Sequence, residues 1–171
     1  LRTRFLMYET LIELSEHGGF SKEHSCEKEK GVVVWNLEKC WPDVEKNFLL
    51  LLQKKMKENQ LEYRRMEFKD GVLNVGFGSE VFERKVGGAD ISYEREMAFL
   101  EEVPYNFENV LKVKKNVLEA SNKNDFSALK GEVQDGYMVF SIENDKNMLQ
   151  LKSNGGVESK KTAFRFAFKI S

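Results

Sequence analysis

Apolar residues recur at near-helical spacing over residues 2–16, a run that includes Phe5, Leu11 and Leu14. Side chains three and four positions apart share one face of a helix, so this spacing predicts a first helix with a buried side. A histidine and two glycines follow at positions 17–19, which is typical of a helix end.

A second helix is predicted to begin at Trp41-Pro42-Asp43. Proline at the start of a helix loses no hydrogen bond, because the N–H that it lacks would have no partner there. Apolar positions then continue at helical spacing from Val44 to Met56.

Two further helices are predicted in the middle of the chain. Asp90 or Ser92 can cap a third helix that ends before Pro104, and four glycines between positions 76 and 88 indicate irregular backbone ahead of it. A fourth helix is predicted from Phe107 to Ala120.

The strands are predicted from short β-branched and alternating runs. Gly31 to Leu37 suits a buried strand, and Asp70-Gly71 predicts a tight turn between Leu61–Phe68 and Val72–Phe77. Four short runs follow in the last fifty residues: Leu129–Gln134, Tyr137–Glu143, Met148–Ser153 and Lys160–Ile170. The sequence therefore predicts one α+β domain over residues 1–171, with about four helices packed on a mainly antiparallel sheet and a C-terminal β-meander.

The last run has the most regular alternation. Phe164, Phe166 and Phe168 share one side of the predicted strand, because strand side chains alternate between two faces. The other side carries small and basic residues. We expect this outer face to bind a partner through Lys161, Arg165, Lys169 and the neighbouring Lys160.

Composition limits the partners of the chain. The 27 basic and 28 acidic residues nearly cancel, so any nucleic acid or phosphate-bearing partner must be met by a local patch. No run approaches the roughly 18 apolar residues that a membrane span needs. The chain begins at Leu1 rather than Met, and we expect it to be a domain of a larger polypeptide.

Four side chains that metals favour lie within 24 residues: His17, His24, Cys26 and Cys40. Imidazole and thiolate are the ligands that zinc prefers, so the cluster is a candidate zinc site, although its spacing matches no common zinc motif. The two cysteines could equally form a disulfide around the β-branched strand or remain free thiols. We expect a reducing, cytoplasmic setting, in which a structural disulfide is uncommon.

A second set of candidate catalytic residues consists of Asp43, Glu67 and Lys69, since two carboxylates and a lysine can hold a metal ion and position a water molecule. This set or the His/Cys cluster would support a metal-dependent hydrolase or nuclease. For each catalytic set, however, an ordinary structural role explains the residues better than catalysis does. The sequence therefore favours a non-catalytic binding domain that contacts a protein or phosphate-bearing partner, with no cofactor other than a possible zinc ion.

Overall fold

The computed structural model describes residues 2–22, 24–105, 107–144, 148–152 and 155–170. The helices in this part of the chain are α1 (Arg2–Glu16), α2 (Val44–Glu58) and α3 (Phe107–Lys123). The strands are β1 (Lys28–Glu29), β2 (Val32–Trp35), β3 (Arg65–Lys69), β4 (Val72–Val86), β5 (Ala89–Glu102), β6 (Glu132–Gln134), β7 (Tyr137–Glu143), β8 (Met148–Leu151), β9 (Val157–Lys160) and β10 (Ala163–Lys169).

The strands form three sheets. The largest has the order β1-β2-β10-β7-β6, a second has the order β3-β4-β5, and β8 pairs with β9 alone. Every pairing is antiparallel except that of β2 with β10. The α+β class and the mainly antiparallel sheets are therefore confirmed.

The indole of Trp35 lies at the centre of the core. Its ring stacks on Phe166, with ring centroids 3.9 Å apart, and meets the edge of Phe168. The indole N–H donates to the carbonyl of Gly18 at 2.9 Å, so the buried polar atom is satisfied. The phenylalanines of β10 are almost inaccessible, which agrees with the alternation predicted for this strand.

Helix α1 is buried on most of its surface and packs on α2, β8 and β10. Among the buried polar residues of this helix, Thr10 and Ser15 donate their hydroxyls to helix carbonyls one turn earlier, at 2.7 and 2.8 Å, which satisfies them in the core. Helix α2 is capped by Asp43, whose side chain accepts a hydrogen bond from the Lys46 N–H at 3.1 Å. The helix start predicted at Trp41-Pro42-Asp43 is thus confirmed.

The prediction of a third helix capped by Asp90 or Ser92 is wrong. These residues lie within β5, so the described chain has three helices rather than about four. Gly87 and Gly88 have φ of 59° and 86° and form a two-residue turn between β4 and β5. The physical reason is the pattern itself: apolar residues recur every second position in β5, which suits a strand better than a helix.

The C-terminal meander is also corrected. Strand β10 lies between β2 and β7, while β8 and β9 form a separate hairpin, and the run predicted as Lys160–Ile170 is divided between β9 and β10. The division falls at Thr162, whose side-chain oxygen accepts a hydrogen bond from the buried Asn144 amide at 2.6 Å. Stacking of the β10 phenylalanines on Trp35 places this strand beside β2.

Gly18 provides a test of the close packing around β2. A Cβ at this position would lie 2.6 Å from the Cβ of Val33, whereas a Cβ at Gly31 would meet nothing within 4 Å, and both glycines have positive φ. We predict that Gly31→Ala lowers the free energy of unfolding by about 1 kcal/mol through backbone strain alone. Gly18→Ala adds the steric overlap and lowers it by about 2–4 kcal/mol. Urea denaturation measures both; equal effects would contradict the packing described here.

Candidate interaction surface

Strands β4 and β5 extend beyond the end of β3, the third strand of their sheet. Strand β3 pairs with β4 only as far as Gly76, and the ladder then continues as two strands to the turn at Gly87-Gly88. Every residue from Glu80 to Ala98 is exposed. We call residues 80–98 the arm and the rest of the described structure the body.

Local sequence explains why the arm forms. The register shifts between Gly76 and Gly78, an irregularity that increases strand twist and turns the hairpin at the place where it leaves the body. Beyond it, Phe82 and Tyr93 lie opposite each other and stack, with centroids 5.1 Å apart and an interplanar angle of 16°. Cross-strand aromatic pairs of this kind stabilise two-stranded ribbons.

The two faces of the arm differ in character. Residues paired across the strands share a face, so the register assigns each side chain. One side, the apolar face, contains Phe82, Val86, Ala89, Ile91, Tyr93 and Met97, with the charged Glu80, Arg84 and Arg95. The opposite side, the polar face, contains Val81, Glu83, Lys85, Asp90, Ser92, Glu94 and Glu96.

The apolar face continues the core face of the same strands. In the body, β5 contributes Phe99 to the core, and β4 contributes Leu73 and Val75, which are fully buried. Further along the ladder β5 keeps this alternation and β4 resumes it after the register shift between Gly76 and Gly78, yet Phe82 and Tyr93 remain 37% and 55% exposed. The arm therefore presents a core-like surface that the described part of the molecule leaves open to solvent.

The predicted basic face has a different environment. Arg165 and Lys169 are exposed on the outer side of β10, and between them Ala167 is buried with Val34 and Val139. The alternation predicted for this strand therefore places the two cations on one surface.

The other two predicted partner-binding lysines lie in ion pairs. The Lys160 ammonium is 3.5 Å from Glu16, and that of Lys161 is 2.9 Å from Glu143. Carboxylates beside these ammonium groups reduce the positive potential at this edge of the surface. Partner binding by the four residues stays a prediction.

The structure brings together three of the four predicted metal ligands. The ligand atoms of His24, Cys26 and Cys40 lie within 4.8 Å of one another, and this is the only such group of three or more among the described residues. His17 is exposed at the end of α1 and is not part of the group. The two cysteines form a disulfide with a Cα–Cα distance of 5.4 Å.

This pairing decides among the three states that the sequence left open. Sulfurs in a disulfide cannot act as thiolate ligands, so zinc binding by Cys26 and Cys40 requires prior reduction. A structural disulfide is more typical of an oxidising compartment than of the cytoplasm, and the predicted cytoplasmic location stays a prediction.

The imidazole of His24 is held beside the disulfide. Its ring stacks on Phe20 with centroids 4.1 Å apart, and its Nδ1 accepts the Cys26 N–H at 3.2 Å. Burial lowers the pKa of His24, and the nearby charges of Lys28 and His17 lower it further. A neutral ring is therefore favoured at pH 7, which suits its role as a hydrogen-bond acceptor.

The second set of catalytic candidates is spread over two elements. Asp43 caps α2, whereas Glu67 and Lys69 lie on β3. Lys69 lines a cleft of about 680 Å³ with Glu45, but Asp43 and Glu67 do not line it. Burial raises the pKa of Glu45, and the charge of Asp43 raises it further.

The chain matches no protein-family model, no curated protein and no solved structure. No helix in the described ranges is both long and apolar enough to cross a membrane.

Sequence reasoning missed the arm, although its signal was present. Ile91, Tyr93, Met97 and Phe99 follow a two-residue period, and Gly87-Gly88 is a preferred two-residue hairpin turn. Asp90 and Ser92 instead favoured a helix start because both are common caps.

The effect of reduction on the free energy of unfolding distinguishes the disulfide from a metal site. The bond links residues 14 positions apart, and closing a loop of about 15 residues stabilises a fold by roughly 3 kcal/mol. We predict that a phosphine reductant, or the double change Cys26→Ser/Cys40→Ser, lowers the free energy of unfolding by about 2–3 kcal/mol.

Urea denaturation measures this change. A metal chelator should leave the free energy of unfolding unchanged. Destabilisation by the chelator without reductant, together with zinc bound in stoichiometric amount, would instead support the predicted metal site.

Proposed function

We propose that this chain is a non-catalytic protein-interaction domain that contacts its partner through the apolar face of the arm. The observation that supports this proposal is the continuation of the core face of β4 and β5 beyond the body. The largest apolar patch on a water-soluble monomer usually measures about 300–600 Å² and is often functional.

The size of the surface is consistent with this role. Five apolar side chains on this face, those of Phe82, Val86, Ile91, Tyr93 and Met97, are each 37–55% exposed. Because a large side chain presents about 150–250 Å², these residues expose on the order of 400 Å² together. Aromatic residues at the centre of such a patch commonly contribute most of the binding energy.

The charge of the arm favours a protein partner over nucleic acid. Residues 80–98 contain five carboxylates and three cationic side chains, so the arm is acidic overall. Phosphate backbones and anionic lipid headgroups are attracted by clustered Lys and Arg, which the arm lacks. An apolar protein surface is the partner that fits.

Photo-crosslinking tests the proposal directly. A photoreactive phenylalanine analogue in place of Tyr93 lies on the apolar face, and the same analogue in place of Ser92 lies next to it on the polar face. We predict that irradiation of cells producing the chain gives a discrete adduct from position 93 and at most a faint one from position 92.

The adduct identifies the partner by mass spectrometry, and its mass distinguishes a second copy of the chain from another protein. Equal labelling at the two positions, or none at either, would contradict an interaction through the apolar face.

The outer face of β10 is the second candidate contact surface, because Arg165 and Lys169 are exposed on one side of a central strand. If this face contributes, Arg165→Glu/Lys169→Glu weakens binding of the cross-linked partner about tenfold or more, since reversed charges repel what the native ones attract. Binding measured by calorimetry at low and high salt checks this prediction. An unchanged affinity would confine the contact to the arm.

A metal-dependent hydrolase or nuclease is the alternative function. It would use either the His/Cys cluster, of which His24 lies beside the disulfide, or the set Asp43, Glu67 and Lys69. The interaction role is favoured because Asp43 and Glu67 do not line the cleft that Lys69 lines. Zinc content after reduction, and metal-dependent cleavage of nucleic acid, would support the alternative.

A further inference from the structure

We propose that the occupant of the apolar face is a second copy of this chain, with two arms packed face to face and antiparallel about a two-fold axis. This inference rests on the proposed interaction role of the arm and names its partner. The order of side chains along the apolar face and the side of the ladder on which the body lies support it.

The apolar face is arranged in rows of paired residues. Phe82 and Tyr93 form the central row; Glu80 and Arg95 form the row nearer the body, and Arg84 and Ile91 the row nearer the tip. Two-fold symmetry requires a surface that is complementary to itself. Each row of the apolar face must therefore meet a complementary row of an antiparallel copy.

Charges match in this arrangement. With the two-fold axis at the central row, each strand lies over the same strand of the other copy, and the row before the centre faces the row after it. Glu80 of each copy then lies opposite Arg84 of the other, and the aliphatic stem of Arg95 lies over Ile91. Phe82 and Tyr93 meet their own equivalents, which gives an aromatic centre to the contact.

Side-chain sizes match as well. Met97, in the row nearest the body, lies opposite Ala89 in the row nearest the tip of the other copy. Large residues over small ones allow two sheets to approach to the usual separation of about 10 Å.

The position of the body favours antiparallel over parallel arms. Leu73 and Val75 are buried by the core on the same face of the ladder that becomes the apolar face of the arm. In a parallel pair, both bodies would lie at the same end and on the facing sides, where they would overlap. In an antiparallel pair, each body lies near the tip of the other arm.

The contact is of modest size. With the charged members of the face included, the two copies bury roughly 1,000–1,500 Å² in total, at the lower end for specific interfaces. We therefore expect a dimer that dissociates on dilution, with a Kd on the order of micromolar.

Sedimentation velocity over a wide range of concentration tests the dimer. Wild-type protein should shift from monomer to dimer as its concentration rises. Phe82→Lys places two ammonium groups against each other at the two-fold axis and should raise the Kd of the dimer by about 100-fold or more. Val81→Lys is the matched control, since Val81 is 61% exposed on the polar face, and its Kd should stay within about threefold of wild type.

A charge exchange tests the antiparallel arrangement. Glu80→Arg and Arg84→Glu each create like-charge contacts across the two-fold axis and should each weaken the dimer about tenfold. The double variant restores opposite charges and should dimerise more tightly than either single variant. A merely structural effect of the two changes would accumulate instead, because positions 80 and 84 are not paired within one arm.

Two outcomes overturn the inference: monomers at every concentration, or equal weakening by the lysines at positions 81 and 82. If monomers are found but the crosslinker at position 93 still captures another protein, the second copy is rejected and the interaction role stands. If the chain neither dimerises nor captures another protein at position 93, both proposals fail.

Discussion

The stacking of Trp35 on Phe166 is the contact on which the rest of the body depends. It joins the first forty residues to the last strand, because the only parallel pairing in the described sheets, that of β2 with β10, forms around it. The indole N–H reaches the carbonyl of Gly18, and the absence of a side chain there lets the end of α1 lie against Val33. The disulfide between Cys26 and Cys40 holds the segment that precedes and follows the same strand.

All three helices contribute buried side chains to this core, and they leave the distal part of β4 and β5 uncovered. The register shift between Gly76 and Gly78 lies on β4, so β5 keeps one alternation throughout and its core pattern continues past the edge of the body. Apolar side chains on the face that is buried in the body are therefore exposed in the arm. The interaction role of the arm follows from this geometric continuity rather than from any catalytic group.

Local patterns predicted much of the fold. The first two helices, the last helix, the Asp70-Gly71 turn and the alternation of β10 follow from spacing over a few residues, and the structure confirms them. The prediction of a third helix is wrong because Asp90 and Ser92 are common helix caps, whereas the two-residue period of the residues that follow them favours a strand. The order of strands could not be predicted, because the pairing of β2 with β10 depends on contacts between residues more than a hundred positions apart.

The candidate surfaces show the same limit. Sequence alternation identified Arg165 and Lys169 as neighbours on one face, but it could not show that Lys160 and Lys161 lie beside carboxylates from α1 and β7. The proximity of His24, Cys26 and Cys40 was anticipated from their clustering, whereas their joining by a disulfide was one of three open possibilities. The arm was missed because it required β5 to be recognised as a strand.

Amide hydrogen exchange measured by mass spectrometry at low and high protein concentration reports on contact through the apolar face of the arm, since residues 80–98 can be followed separately from β10. If the apolar face is a contact surface, exchange in the arm is slower at high concentration and the exchange of β10 is unchanged. Arm exchange that does not depend on concentration or on any cross-linked partner, or protection confined to β10, would contradict it.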